Sequence, residues 1–204
     1  MLAGTMSAPQ TALPEPPPII RRPRPDDAVE QALATFLREE RVDMGSLAGQ
    51  LGVAPATLYR WFGSRGVLLE GVFERLAEQF SDRAHAEARG SGDTRVLDWA
   101  RRLMTMAAAF EPLRSFVTRE PQLGLRLLLG RGGAVHRTLS ARTAEMIAEA
   151  RPAGAPGPRE EHVHLIVQIA TALAWATFTI GDEPEIDSAV EVIGLILAAP
   201  DTAA

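Results

Sequence analysis

Apolar residues recur along this chain at the three- and four-residue spacing of amphipathic helices, and nowhere with the alternation of a half-buried strand. Val29, Ala32, Leu33, Phe36 and Leu37 predict a first helix that opens at Asp26–Asp27 and runs to about Arg41. Its Arg38 and Arg41 would then sit near the negative end of the helix dipole. Asp43 is placed to cap a short second helix with the stripe Met44, Leu47, Ala48 and Leu51, which Gly52 ends in a left-handed conformation. Pro55 suits the first turn of a third helix, where its missing N–H costs nothing, and Gly63 stops that helix after Phe62. Ser64 caps a long fourth helix, with Val67, Leu68, Leu69, Val72, Phe73, Leu76, Ala77 and Phe80 on its apolar face, continuing to about Ala88.

After the break Gly90–Ser91–Gly92 the pattern stays helical: 94–110, then 112–119 and 121–129, each opened by a proline, then 134–150. RPAGAPGP, 151–158, is a proline/glycine loop, and helices near 159–180 and 185–198 finish the chain. No internal repeat is visible. The expectation is an all-α protein: a three-helix N-terminal unit over 25–67 and a larger helical domain over 68–199. Residues 1–24 form an Ala/Pro-rich disordered tail ending in a basic arm, and 200–204 form a short tail.

Composition narrows the function classes. The chain has 204 residues and a net charge of −5, so a polyanionic partner must meet a local surface rather than the whole molecule. Every basic side chain other than histidine is arginine, which a biased genome composition explains. There is no cysteine, which excludes disulfides, thiol catalysis and cysteine zinc sites and fits a cytoplasmic protein. The N-terminus lacks the pattern of a secretory signal. Val163–Ile180 is long enough to be a spanning candidate, but His164, Gln168, three threonines and acidic flanks on both sides favour a helix buried in protein.

The second and third helices and their glycine turn have the pattern of a helix-turn-helix, whose second helix enters the DNA major groove by its N-terminal end. From Met44 to Arg65 there is no carboxylate, as expected of a face laid on phosphates. Pro55, Ala56, Thr57 and Arg60 are the side chains placed for base edges, with Thr57 able to touch thymine and Arg60 able to pair with guanine. Tyr59 and Arg65 are placed for phosphate, Ser46 and Trp61 belong to the same surface, and Arg21, Arg22 and Arg24 supply the basic arm. Leu58 and Phe62, four apart, are core.

The stretch DMGSLAGQLGVAPATLYRWFGSRGVLLEGVF closely resembles the DNA-binding region of TetR-family transcriptional regulators. The signature residues are Leu58, Tyr59, Phe62 and Arg65, and the resemblance covers roughly 28–76. It implies a homodimer, usually a repressor, with a second all-helical domain for a small molecule, and phosphate contacts at Tyr59 and Arg65. Three positions depart from the pattern: Asp43 stands where threonine is common, Ala54 replaces a serine-type cap, and Trp61 takes a place often held by histidine. A fainter resemblance, carried by LATFLREERVDMGSLAGQLGV, FVTREPQLGLRLL and GDEPEIDSAVEVI, is to actinobacterial regulators of quorum-signal degradation, and implies a lactone-like or acyl effector.

The second domain shows no nucleophile elbow, phosphate loop or zincin motif, so an enzyme is not expected, nor a cofactor. His162 and His164 are two apart and diverge on a helix, and His136 has no ligand partner at helical spacing, so no metal is expected. Trp99, Met104, Phe110, Phe116, Trp175 and Phe178, with Gln168 and Thr171 as polar points, are candidates for the lining of an effector pocket, although taken singly each reads more readily as bundle core. The last two helices are apolar on more than one face, which an isologous dimer would cover. The expected partners are therefore an operator duplex, a small hydrophobic effector and a second copy of the chain, with no membrane. The alternative is a small-molecule-binding helical module whose DNA binding is vestigial.

Overall fold

The computed structural model describes residues 22–152, 159–180 and 184–199, and for 176–180 the backbone only. The expected N- and C-terminal tails, Arg21, most of the proline/glycine loop and the side chain of Phe178 lie outside the described residues. Among the described residues the chain is all helix: α1 Pro25–Leu37, α2 Met44–Leu51, α3 Pro55–Phe62, α4 Arg65–Glu87, α5 Asp93–Ala109, α6 Glu111–Arg119, α7 Pro121–Leu129, α8 Ala134–Ala150, α9 Glu160–Ile180 and α10 Ile186–Ala198. No helix among these residues is long and apolar enough to cross a membrane.

Local chemistry sets most boundaries where the pattern predicts them. Asp43 Oδ1 accepts the Ser46 N–H at 2.9 Å, and Ser64 Oγ accepts the Val67 N–H at 3.3 Å, so each satisfies a first-turn donor that the helix cannot. Gly52 closes α2 at φ 65° and Gly63 closes α3 at φ 70°. Helix α1 departs from expectation at both ends. It begins at Pro25, where the Arg24 N–H donates to Asp27 Oδ2 at 2.6 Å. It ends at Leu37, four residues short of Arg41, so neither Arg38 nor Arg41 lies in its last turn. The stop is a left-handed Glu39, φ 59°, with the Glu39 N–H on Phe36 O and the Glu40 N–H on Thr35 O. These bonds are a Schellman termination, and its usual glycine signal is missing from the sequence.

Helix α4 is the spine. It packs against α1 near its start and against α5 and α8 beyond. Gly71 permits the first contact: a Cβ there would meet Val29 Cγ2 at 3.1 Å. Phe36, Phe73 and Phe116 form a ring trio with centroids 5.3–5.6 Å apart, tying α1, α4 and α6 together by tilted and edge-on contacts. One hydrophobic cluster therefore runs without a break from Ala28 and Leu58 in the N-terminal unit to Trp175 and Val190 in the second domain. A second cluster, around Trp99, Met146, Ile166 and Ile193, closes the far end of the bundle.

Candidate nucleic-acid interface

In α3 the amphipathic division follows the sequence. Leu58 is fully buried, and Trp61 and Phe62 are half-buried against the core with their rings edge-on at 6.4 Å. Pro55, Ala56, Tyr59 and Arg60 are exposed, and Thr57 is half-buried. Ser46 is exposed on the first turn of α2, and Arg22 and Arg24 are exposed just before α1. These side chains thus lie open on the N-terminal unit. Asp43 is ionised on the same end of α2: the Ser46 N–H holds its carboxyl below the usual carboxylate range.

Arg65 is placed differently from the expectation of an open phosphate contact. Its Nε donates to Val42 O at 2.6 Å, and its two Nη atoms bind both oxygens of Glu120 at 2.7 and 2.8 Å. The pair is largely enclosed, with side-chain exposures of 21% and 31%. Arg65 holds the Glu120 carboxyl below the usual range, against the opposing pull of burial, with Arg41 and Arg119 adding to the field. Next to it, Arg119 Nη1 donates to Glu39 O at 2.8 Å. The α1–α2 loop and the start of α4 are thereby bound to the α6–α7 corner.

Inside the second domain lies a cavity of about 70 Å³. Its wall includes Phe73, Leu76, Ala77 and Phe80 of α4, Met104 and Ala107 of α5, Val135 and Leu139 of α8, and Ala170, Thr171, Ala174 and Trp175 of α9. Among the described lining residues the hydrogen-bonding side chains are Thr171, whose hydroxyl already donates to Val167 O at 2.7 Å, and Trp175 with its indole N–H. Of the expected lining residues, Met104, Thr171 and Trp175 are there. Trp99 borders a smaller void and donates from Nε1 to Ser81 O at 3.3 Å. Phe116 belongs to the ring trio, Phe110 packs edge-on to Phe80 at 5.1 Å, and Gln168 is half-buried outside the lining. Periodicity marks the four α4 residues as an apolar face, and it reports a buried face and not an empty space beside it.

Cross-helix proximity also produces a pair invisible to sequence spacing. The rings of His136 on α8 and His164 on α9 lie 4.5 Å apart, and both Nε2 atoms are buried without a hydrogen-bond partner among the described residues. Burial, then His164 and Arg131, lower the His136 pKa. Among the described residues no group of three or more His, Asp or Glu side chains is placed to hold a metal ion.

A three-helix reading unit docked by one long helix onto a bundle with an apolar cavity is the architecture of helix-turn-helix regulators. Residues 91–198 match the model of the family described as "Tetracyclin repressor-like, C-terminal domain". The chain belongs to this TetR family of transcriptional regulators. It is similar over 88% of its length to 97% of the transcriptional repressor QsdR of R. erythropolis, at 29% identity and a TM-score of 0.80. The TetR-family repressor AlkX of Dietzia sp. strain DQ12-45-1b shares the fold, with a TM-score of 0.56 and 19% identity over 87% of this chain and 95% of that one. The nucleoid occlusion factor SlmA of Aliivibrio fischeri (strain MJ11) is 32% identical over 114 residues, 54% of each chain. The chain spans about half the length of the curated relatives it matches.

Proposed function

We propose that this protein is a dimeric transcriptional repressor whose grip on DNA is released by a small apolar effector. The observation that carries the reading is the path of α4. Its first turn follows directly on α3, and its Phe73, Leu76, Ala77 and Phe80 wall the cavity. A helix of 23 residues is a rod of about 35 Å, so a displacement at the cavity moves the unit at its other end. Pro55, Ala56, Thr57 and Arg60 read base edges, while Tyr59, Ser46 and the arm of Arg22 and Arg24 meet phosphates. Thr57, half-buried at the rim, is the specificity residue.

The effector is apolar in the part that enters the bundle, because the described lining is aliphatic and aromatic apart from the Thr171 hydroxyl, already bonded to Val167 O, and the edge of the Trp175 indole. At about 70 Å³ the space holds roughly five water-sized spheres. Anything larger binds by separating α4 from α5, α8 and α9, so it favours an altered arrangement over the present one. The likeness to QsdR supports placing the chain with the regulators of quorum-signal degradation, and thus an acyl or lactone-like ligand. The dimer pairs through α9 and α10, whose Leu165, Val192 and Leu195 are exposed at 46%, 37% and 68%.

The experiment is selection of bound duplexes from a random pool. The expected product is a palindrome or near-palindrome with half-sites about 34–36 Å apart or a multiple of it. Recovery of no preferred sequence would instead favour a ligand-binding module with vestigial DNA binding.

A further inference from the structure

We propose that the cation meeting the DNA backbone at the start of α4 is Arg126, contributed by α7 of the second domain, and that Arg65 is a strut between domains. The proposal rests on the DNA-binding reading above. Arg65 is committed: three of its N–H groups serve Val42 O and the two Glu120 oxygens. The guanidinium is held by a bidentate carboxylate whose charge already neutralises its own, so what Arg65 gains from a phosphate is offset by what it gives up with Glu120.

Arg126 is in the opposite condition. It is exposed, and among the described residues no hydrogen bond or ion pair takes its guanidinium. Yet it is not splayed into solvent. A Cβ on Gly66 would lie 3.2 Å from Arg126 Nη2 and 3.6 Å from Ser64 Oγ, so the guanidinium rests over the first turn of α4. That turn begins three residues after the end of α3, the helix that carries the exposed Tyr59 and Arg60. The absence of a side chain at Gly66 lets the guanidinium lie close to α4.

The perch is held from behind. Leu123 Cδ1 stands 4.0 Å from the same point above Gly66. On the other face of α7, a Cβ at Gly124 would meet Val117 Cγ2 at 2.9 Å, so α6 and α7 are in close contact. Leu128, on the same short helix, is part of the cavity wall. An effector that displaces α7 therefore withdraws a phosphate contact directly, without first bending the reading unit.

The test uses the full chain and one duplex recovered from the random pool, with its scrambled counterpart, titrated from about 50 to 200 mM salt. Each phosphate contact contributes about 0.9 to the slope of log K against log salt, equivalent to about 8-fold in affinity at 0.1 M. Arg126→Gln should lower the slope magnitude by about 0.9 per bound protomer and weaken both duplexes equally. Arg65→Gln should lower thermal stability and leave the slope unchanged. Should Arg65→Gln fail to fold, Arg65→Lys keeps the charge without the bidentate geometry and should also leave the slope unchanged. An unaltered slope in Arg126→Gln overturns the proposal, as does a slope reduced by about one in either Arg65 variant. Wild-type protein that binds no duplex refutes the DNA-binding reading itself, and this proposal with it.

Discussion

At the scale of single residues, two charged groups decide how the N-terminal unit behaves. Asp43 caps α2, and the Ser46 N–H lowers its pKa and so favours the carboxylate. On the proposed DNA-binding reading it puts a negative charge on the face turned to the duplex. Asp43→Thr keeps a capping oxygen and removes that charge, so affinity for operator and scrambled DNA should both rise, by about 3- to 10-fold at low salt. Anisotropy titration of the two proteins checks this, and equal affinities would mean that α2 stands away from the backbone. Arg65 and Glu120 act on stability. The folded-state pKa of Glu120 is depressed, so its contribution is fully present above the unfolded value near 4.3 and is lost as pH falls through the folded value. Arg65→Ala removes the main cause of that depression. It should cost about 1–3 kcal/mol at pH 7, roughly 2–12 °C in Tm, and flatten the decline in Tm below pH 5. A variant that melts like the wild type at both pH values would show the pair to be ornamental.

At the scale of elements, the legibility of the fold follows the range of the interactions that set it. Helices α2, α3 and α4 begin and end where the sequence places them, because Asp43, Ser64, Pro55, Gly52 and Gly63 act on backbone groups within a few residues. The end of α1 was not legible, since a glutamate occupies the left-handed position that glycine would have announced. Nor was the role of Arg65, whose carboxylate partner lies 55 positions away. The same holds for the His136–His164 contact and for the cavity, which arise only when α4, α8 and α9 are packed. The outer face of α9 and α10 was legible as surplus apolarity. Leu195, exposed at 68%, is the residue to test it. Leu195→Asp should shift sedimentation at micromolar concentration from dimer to monomer while helix content is kept. A dimer of undiminished affinity would move the interface elsewhere.

At the scale of the whole molecule, the proposed repressor joins a reading surface to a cavity through α4 and α7, so the two sites must share free energy. An effector that occupies the cavity equally well in both arrangements changes nothing, however tightly it binds. Coupling of about 1–3 kcal/mol corresponds to roughly 5- to 150-fold in affinity. Ala107 lines the cavity and is half-buried, so Ala107→Leu fills the space with little other change and should abolish the response while leaving DNA binding in place. The most direct measurement is the Kd for the selected operator, with and without each member of a panel of medium-chain fatty acids, acyl lactones and apolar aromatics at saturation. A compound raising the Tm of the wild type, but not of Ala107→Leu, should weaken operator binding at least 5-fold. Compounds that stabilise the protein through the cavity yet leave the operator Kd unchanged would contradict the coupling, as would a panel in which none stabilises the protein at all.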